Sequence, residues 1–264
     1  MHKITNLKYL GIIILNLLLL FAFITPLISN IDPNEQDLMN SLVGISSQYF
    51  FGTDQFGRDM FIRLAYATQL SVSLAFFITL SSIIPGILLG VLAAYKGGII
   101  EKSLTLFSDM ILALPGLLLI LLVISFSPGN TILLHLALSL TLWVEFYKVS
   151  RAKTKTILIQ PYIEATKLLG FSSFYILRKE IIPGLYGIMI TLSTFTMSTA
   201  IISLSTLSAL GVGVQPPTSE LGNMIVDFLP YFDDRPLLIA LPTIIIFLLV
   251  LSLQLITNKG NKNV

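Results

Sequence analysis

The sequence predicts an all-α integral membrane protein with six transmembrane helices and both termini on the cytoplasmic side. Three observations carry this expectation: too little charge to solvate a surface, six apolar runs of membrane-spanning length, and a lopsided distribution of basic residues. Of 264 residues, 55% are hydrophobic and 11% charged, and the mean hydropathy is +0.88. A water-soluble domain carries about a quarter charged residues. There is no cysteine, and the two histidines, His2 and His135, are far apart. Neither a disulfide, a thiolate site nor a histidine-based metal site is expected.

A span needs roughly 20 apolar residues at ~1.5 Å each. Six segments qualify, at about 10–28, 70–95, 104–126, 131–149, 188–212 and 237–256. The first follows Lys3 and Lys8 as a signal peptide would, but no small-x-small cleavage site follows it, so it is read as a retained span. Ser127-Pro128-Gly129-Asn130 is a turn composition that would pair the third and fourth spans antiparallel. Alternation of six spans puts both termini and the loops near 96–103 and 150–187 on one face. That face holds 13 of the 16 basic residues; Arg58, Arg63 and Arg235 fall opposite. By the positive-inside rule it is cytoplasmic.

Two segments look soluble. Outside, "FGTDQFGRDMFIRL" (51–64) sets two glycines around Thr53, Asp54 and Gln55, and Arg58-Asp59 then open a helix with Met60, Phe61 and Leu64 on one side. Asp54 is read as its cap, and the plain reading is a structured turn leading into the second span. Inside, "QPYIEATKLLGFSSFYILRKEIIP" (160–183) reads as helix, glycine, helix. Pro161 suits a first turn, Glu164 complements the positive helix end, and Gly170 is a left-handed stop. Ile163, Leu168 and Leu169 are expected to form one apolar side. Ser172 or Ser173 would cap the second helix, and Pro183 would end it. Such a module must rest its apolar side on its own protein or on a docked partner.

Within the spans, Gly86-x-x-x-Gly90 and Ala94 form a small-residue stripe, expected to serve packing. From Thr191 to Ser208, ten of 18 residues are Ser or Thr. A span this polar should face other helices or a wet pathway, although hydroxyls can also bond their own helix. Asp109 and Glu145 lie near cytoplasmic ends, where Lys102, Lys148 or Arg151 could satisfy them, and His135 is read as a packing residue. No G-x-x-x-x-G-K-[ST] loop, serine elbow or His-Glu-x-x-His occurs. The chain is therefore not expected to be an enzyme or to bind ATP. A stand-alone secondary transporter or channel is the alternative; it would want inverted repeats and mid-membrane charges, and neither is evident.

Four blocks, in order, carry a resemblance: "GTDQFGRD" (52–59), "FSDMILALPGLLL" (107–119), Glu164-Ala165-Thr166 with Gly170 and Ile181-Ile182-Pro183, and "SALGVGVQPPTSELGNMI" (208–225). Together they resemble the ABC importer permeases for dipeptides, oligopeptides and nickel. Thr166 and Ile182 depart from the usual alanine and leucine, and "QLITNKGNKNV" lacks the usual acidic–basic tail. The resemblance implies the type I importer permease fold: an N-terminal helix and extracytoplasmic loop (1–69), a permease core (70–257) with a cytoplasmic coupling loop at 150–187, and a cytoplasmic tail (258–264). It implies that Glu164, Ala165, Thr166, Leu168, Gly170, Phe171 and Pro183 meet an ATPase. Gly52, Thr53, Asp54, Gly57, Arg58 and Asp59 form the extracytoplasmic motif, and Thr194, Ser198 and Ser205 border the translocation path. Implied partners are a homologous second permease subunit, two cytosolic ATPases holding ATP and Mg, an extracytoplasmic solute-binding protein and the bilayer. No cofactor is expected on this chain, and no nucleic acid. The location implied is the bacterial cytoplasmic membrane, with many passes. The solute would be a short peptide first, nickel or a metal–chelator complex next.

Overall fold

A computed structural model describes residues 2–29 and 31–257; the tail at 258–264 lies outside the described residues. Among these the regular structure is helical, with an isolated bridge between Thr53 and Asp59 and no strand. In lipid this is the expected solution, because a helix satisfies its own backbone polar groups. Five helical runs are long and apolar enough to cross a membrane. They are α1 (His2–Ile28), α2 (Met60–Lys96), α5 (Thr131–Leu158), the run Ser173–Ala209, and α10 (Pro236–Thr257).

The remaining predicted span is broken. Helices α3 (Gly98–Ala113) and α4 (Gly116–Ile124) are bent by 86° at Leu114-Pro115. Pro115 disfavours a helical Leu114, whose φ −92°, ψ 138° are extended. Hydropathy over 104–126 does not register that single proline. Helix α2 differs in the other direction, beginning ten residues before the apolar run, so the amphipathic entry and the span are one helix.

Ser173–Ala209 is also continuous, which corrects the expectation that Pro183 ends a short helix. It comprises α7 (Ser173–Ile176), a π-helical turn (Leu177–Ile181) and α8 (Ile182–Ala209). The Ile182 amide reaches back to the Leu177 carbonyl. The widened turn gives a proline, which lacks N–H and crowds the carbonyl four residues back, a place at the start of α8.

Two compact units form. One draws on Met1–Phe76, Ile124–Leu134 and Met197–Val264, the other on Phe77–Val123 and His135–Thr196. In the first, α1 packs on α10, with a Cβ at Gly11 reaching within 2.8 Å of the Ser252 carbonyl. Helix α9 (Leu221–Asp227) also contacts α10, and a Cβ at Gly222 would fall 2.0 Å from the Ser205 carbonyl. In the second, the expected small-residue stripe is a contact. A Cβ at Gly86 would lie 2.4 Å from that of Phe146, and one at Gly90 would lie 2.6 Å from the Tyr147 carbonyl. Beside it, Trp143, Val144, Tyr147, Ala93 and Ile111 make a buried cluster.

Because backbone blocks the space at Gly90, Gly90→Leu should lower the melting temperature in detergent by about 5 °C or more. Gly116, with nothing within 4 Å of its Cβ position, should accept alanine within about 2 °C. Thermal unfolding of the two purified variants checks the contrast.

Candidate functional site

Two of the predicted clusters become defined sites, one at each soluble segment. In the 52–59 loop, Gly52 and Gly57 take φ of 76° and 74°. A Cβ at Gly57 would sit 1.7 Å from the Asp37 carbonyl oxygen, so only glycine fits. Thr53 is buried, donating to the Asn40 carbonyl at 2.5 Å and accepting from the Val43 amide at 2.8 Å. This tight turn places Asp54 inside the protein, 0% exposed.

Asp54 is the centre of the site rather than the helix cap expected. Its Oδ1 accepts from the Phe56 and Arg58 amides at 2.8 and 2.9 Å. Its Oδ2 accepts from Arg58 Nε at 2.6 Å and from Arg63 Nη1. Arg58 stacks over the Phe56 ring at 4.7 Å. The cap of α2 is Asp59, which accepts from the Phe61 amide at 2.8 Å. Asp54 lies too far upstream to reach those amides. Burial pushes the Asp59 carboxyl above its ordinary range, against the lowering effect of its backbone hydrogen bonds.

Arg63 and its contacts were missed in the sequence. At 2% exposed it is among the largest fully buried side chains. Its Nε donates to Ser219 Oγ at 3.0 Å, tying α2 to the loop before α9. The adjacent Glu220 is fully buried. One carboxylate oxygen accepts from Ser71 and Ser205 hydroxyls at 3.1 and 3.0 Å, the other from the Gly222 and Asn223 amides at 2.7 and 3.3 Å. In return the Asn223 side-chain oxygen accepts from the Glu220 amide at 3.1 Å. The reciprocal cap was legible in "SELGN"; a buried arginine three residues into an apolar helix was not. Asp227, nearby, has its carboxyl raised by burial, opposed by the charges of Arg63 and Arg58.

The hydroxyl-rich α8 takes a different role at each predicted lining residue. Ser205 is buried and holds Glu220, Ser198 is buried, and Thr194 bonds the Thr191 carbonyl at 2.8 Å.

The 160–183 segment forms the second site. Helix α6 (Pro161–Leu168) starts on Pro161 and ends at Gly170, whose φ is 81°. Ser172, not Ser173, caps α7, accepting from the Tyr175 amide. Ile163 is buried in a cluster with Phe146, Ile157, Ile176, Ile181, Leu185 and Met189. Leu168 and Leu169 are 84% and 76% exposed, a second correction. Residues 163 and 168 are five apart, about 140° around a helix, so they cannot share one side. Glu164 and Ala165 are exposed, Thr166 donates to the Tyr162 carbonyl at 2.8 Å, and Phe171 stacks on Tyr175 at 4.5 Å.

Around it, Glu101 pairs with Arg151 and Lys155, and Asp109 with Lys148 at 2.8 Å. Glu145 enters no ion pair among the described residues and is exposed. His135 Nε2 lies 3.0 Å from Ser81 Oγ, a packing contact as expected.

This architecture is that of a multi-pass membrane protein with a short helical module between two of its spans. Residues 86–259 match the family described as binding-protein-dependent transport system inner membrane component, and the chain belongs to that family. It is 30% identical over 252 residues to the dipeptide transport system permease protein DppC of Haemophilus influenzae, covering 93% of this chain and 85% of that one. It is 32% identical over 254 residues to the di/tripeptide transport system permease protein DppC of Pseudomonas aeruginosa, covering 93% and 83%. In structure it resembles the MetNI methionine ABC transporter in an inward-facing conformation, with a TM-score of 0.60, 18% identity, and coverage of 74% and 93%. The chain is thus a permease component of a binding-protein-dependent importer, built on the type I permease fold.

Removing the charge of Asp54 leaves two guanidiniums buried without compensation. Asp54→Asn should cost about 3–5 kcal/mol. Asp59→Asn keeps a good cap and removes a partly buried charge, so it should change stability by less than about 0.5 kcal/mol. Denaturant or thermal unfolding near neutral pH separates the two.

Proposed function

We propose that this chain is half of the translocation pathway of an ATP-driven importer of short peptides, paired with a homologous permease. Two cytosolic ATPases, holding ATP and Mg, would grip it through α6, and an extracytoplasmic protein would deliver solute. The observation that carries the coupling role is the split of α6. Ile163 anchors the helix in the buried cluster, while Leu168 and Leu169 project outward on the same short element. Phe171 and Phe174, which follow closely in sequence, are exposed as well, and exposed apolar side chains this close together suit docking. Glu164 sits in the first turn of α6, where a carboxylate stabilises the positive helix end.

The ATPases would move this helix, and nucleotide can drive that only through its different affinity for two conformations. Residues Glu164, Ala165, Leu168, Gly170 and Phe171 would form the contact, with Thr166 stiffening α6 from within. Pro183 would act at a distance, as the start of the long helix. The 52–59 motif would hold the extracytoplasmic rim in shape. The peptide class follows from what the named relatives carry; those relatives give nickel no support here.

Glu164→Arg reverses a first-turn charge, and Gly170→Leu forces a left-handed side chain where only backbone conformation, not space, resists it. Both proteins should reach the membrane and assemble. Uptake should fall about tenfold or more while ATP hydrolysis by the complex persists, a change worth at least ~1.4 kcal/mol of coupling. Transport and ATPase assays on the reconstituted complex test this, and normal uptake by both variants rejects the coupling role.

A further inference from the structure

The first unit holds a cleft of about 720 Å³, within the usual range for small-ligand sites. One wall is a single face of α2, with Tyr66, Gln69 and Ser73 at successive turns; the others are Asp32 with its loop, and Thr218-Ser219 before α9. Neighbouring hydroxyls on α2 are committed: Thr68 donates to the Leu64 carbonyl at 2.6 Å and Ser71 to Glu220 at 3.1 Å. The cleft groups are not. Tyr66, Gln69, Ser73 and Thr218 are not among the side chains hydrogen-bonded to other described residues. Asp32 accepts a bond from the Asn34 amide at 2.9 Å and, among the described residues, pairs with no cation.

Tyr66, Gln69 and Ser73 are half-buried, and Asp32 and Thr218 are exposed, so the cleft is open to water and suits a polar solute. Its chemistry narrows the solute. Hydroxyls and a carboxamide both give and accept hydrogen bonds, as an amide backbone requires. The one charge among the described lining residues is negative. Among the described lining residues there is no base to meet an anion and no second carboxylate or histidine to complete a cation's coordination shell. Arg63 is close in sequence but is buried and bound to Asp54 and Ser219.

We infer that this cleft is a solute subsite for the amino-terminal end of a short peptide, with Asp32 taking the ammonium and Gln69 and Ser73 the first amide group. Arg63, through Ser219, is a positioning residue that sets the far wall. The inference rests on the peptide reading above and adds a place and a polarity to it.

The test uses the complete complex, with the permease partner, ATPases and binding protein. Uptake of a free dipeptide and its N-acetylated form is compared. Asp32→Asn should raise KM about tenfold for the free dipeptide, as loss of a charged hydrogen bond implies, and leave that of the acetylated form unchanged. Gln69→Leu with Ser73→Ala should raise both. The chain has no cysteine, so Ser73→Cys supplies one thiol whose maleimide labelling on this subunit should slow with millimolar dipeptide and not with nickel salts. Unchanged KM values together with an unprotected thiol overturn the subsite while peptide uptake persists. Absence of peptide uptake by the unmodified complex instead overturns the peptide reading, and thiol protection then decides the cleft: protection by dipeptide supports it, and protection by nickel alone or none rejects it.

Discussion

The carboxylate of Asp54 is the constraint on which the outer part of this protein depends. It receives four hydrogen bonds, two from backbone amides of its own turn and two from guanidiniums. A charge so buried is tolerable only with such company. Each donor comes from a different structural need. The amides close the turn, Arg58 closes the loop, and Arg63 fastens the loop to α2 and, through Ser219, to the α9 segment. Glycine at 57 is part of the same device, since the Asp37 carbonyl occupies the space of any side chain there.

Glu220 repeats the solution without a cation. Two serine hydroxyls and two amides satisfy it, and the serines come from α2 and α8. Hydrogen-bonded carboxylates of this kind fix geometry better than an apolar contact, because each bond has a direction. The abundance of hydroxyls on α8 then has a partly structural meaning. Ser205 holds an acid, and Thr191, Ser193, Thr194 and Thr206 bond their own helix or its turns.

The spans, the cap chemistry of the 160–183 segment and the close approach at Gly86 and Gly90 were legible because each depends on local composition or on one helix's periodicity. Pro161, Gly170 and Ser172 stand where turn chemistry places them. What depends on geometry beyond one element was not legible. The break at Pro115 and the passage through Pro183 show this well. One proline bends its helix by 86° and the other is accommodated by a π turn, and hydropathy reads the two alike. Asp54 was singled out from the sequence but given a helix end instead of Arg63, since Arg63 lies within an apolar pattern that hides it.

The π turn also bears on how the inner module could act. Ile176, Ile181 and Leu185 flank or belong to it and are all buried in the cluster that holds Ile163. Helices α6, α7 and the start of α8 are therefore locked together by one apolar core, with the left-handed Gly170 as the corner between them. A load applied to the exposed Leu168 and Leu169 would reach Ile163 within about one and a half turns and then the cluster. Close-packed interiors resist compression, so the module would move with the Phe146 and Ile157 region of α5 rather than deform. The rigidity sits in the buried side chains, and under the proposed coupling the exposed leucines would supply only the grip.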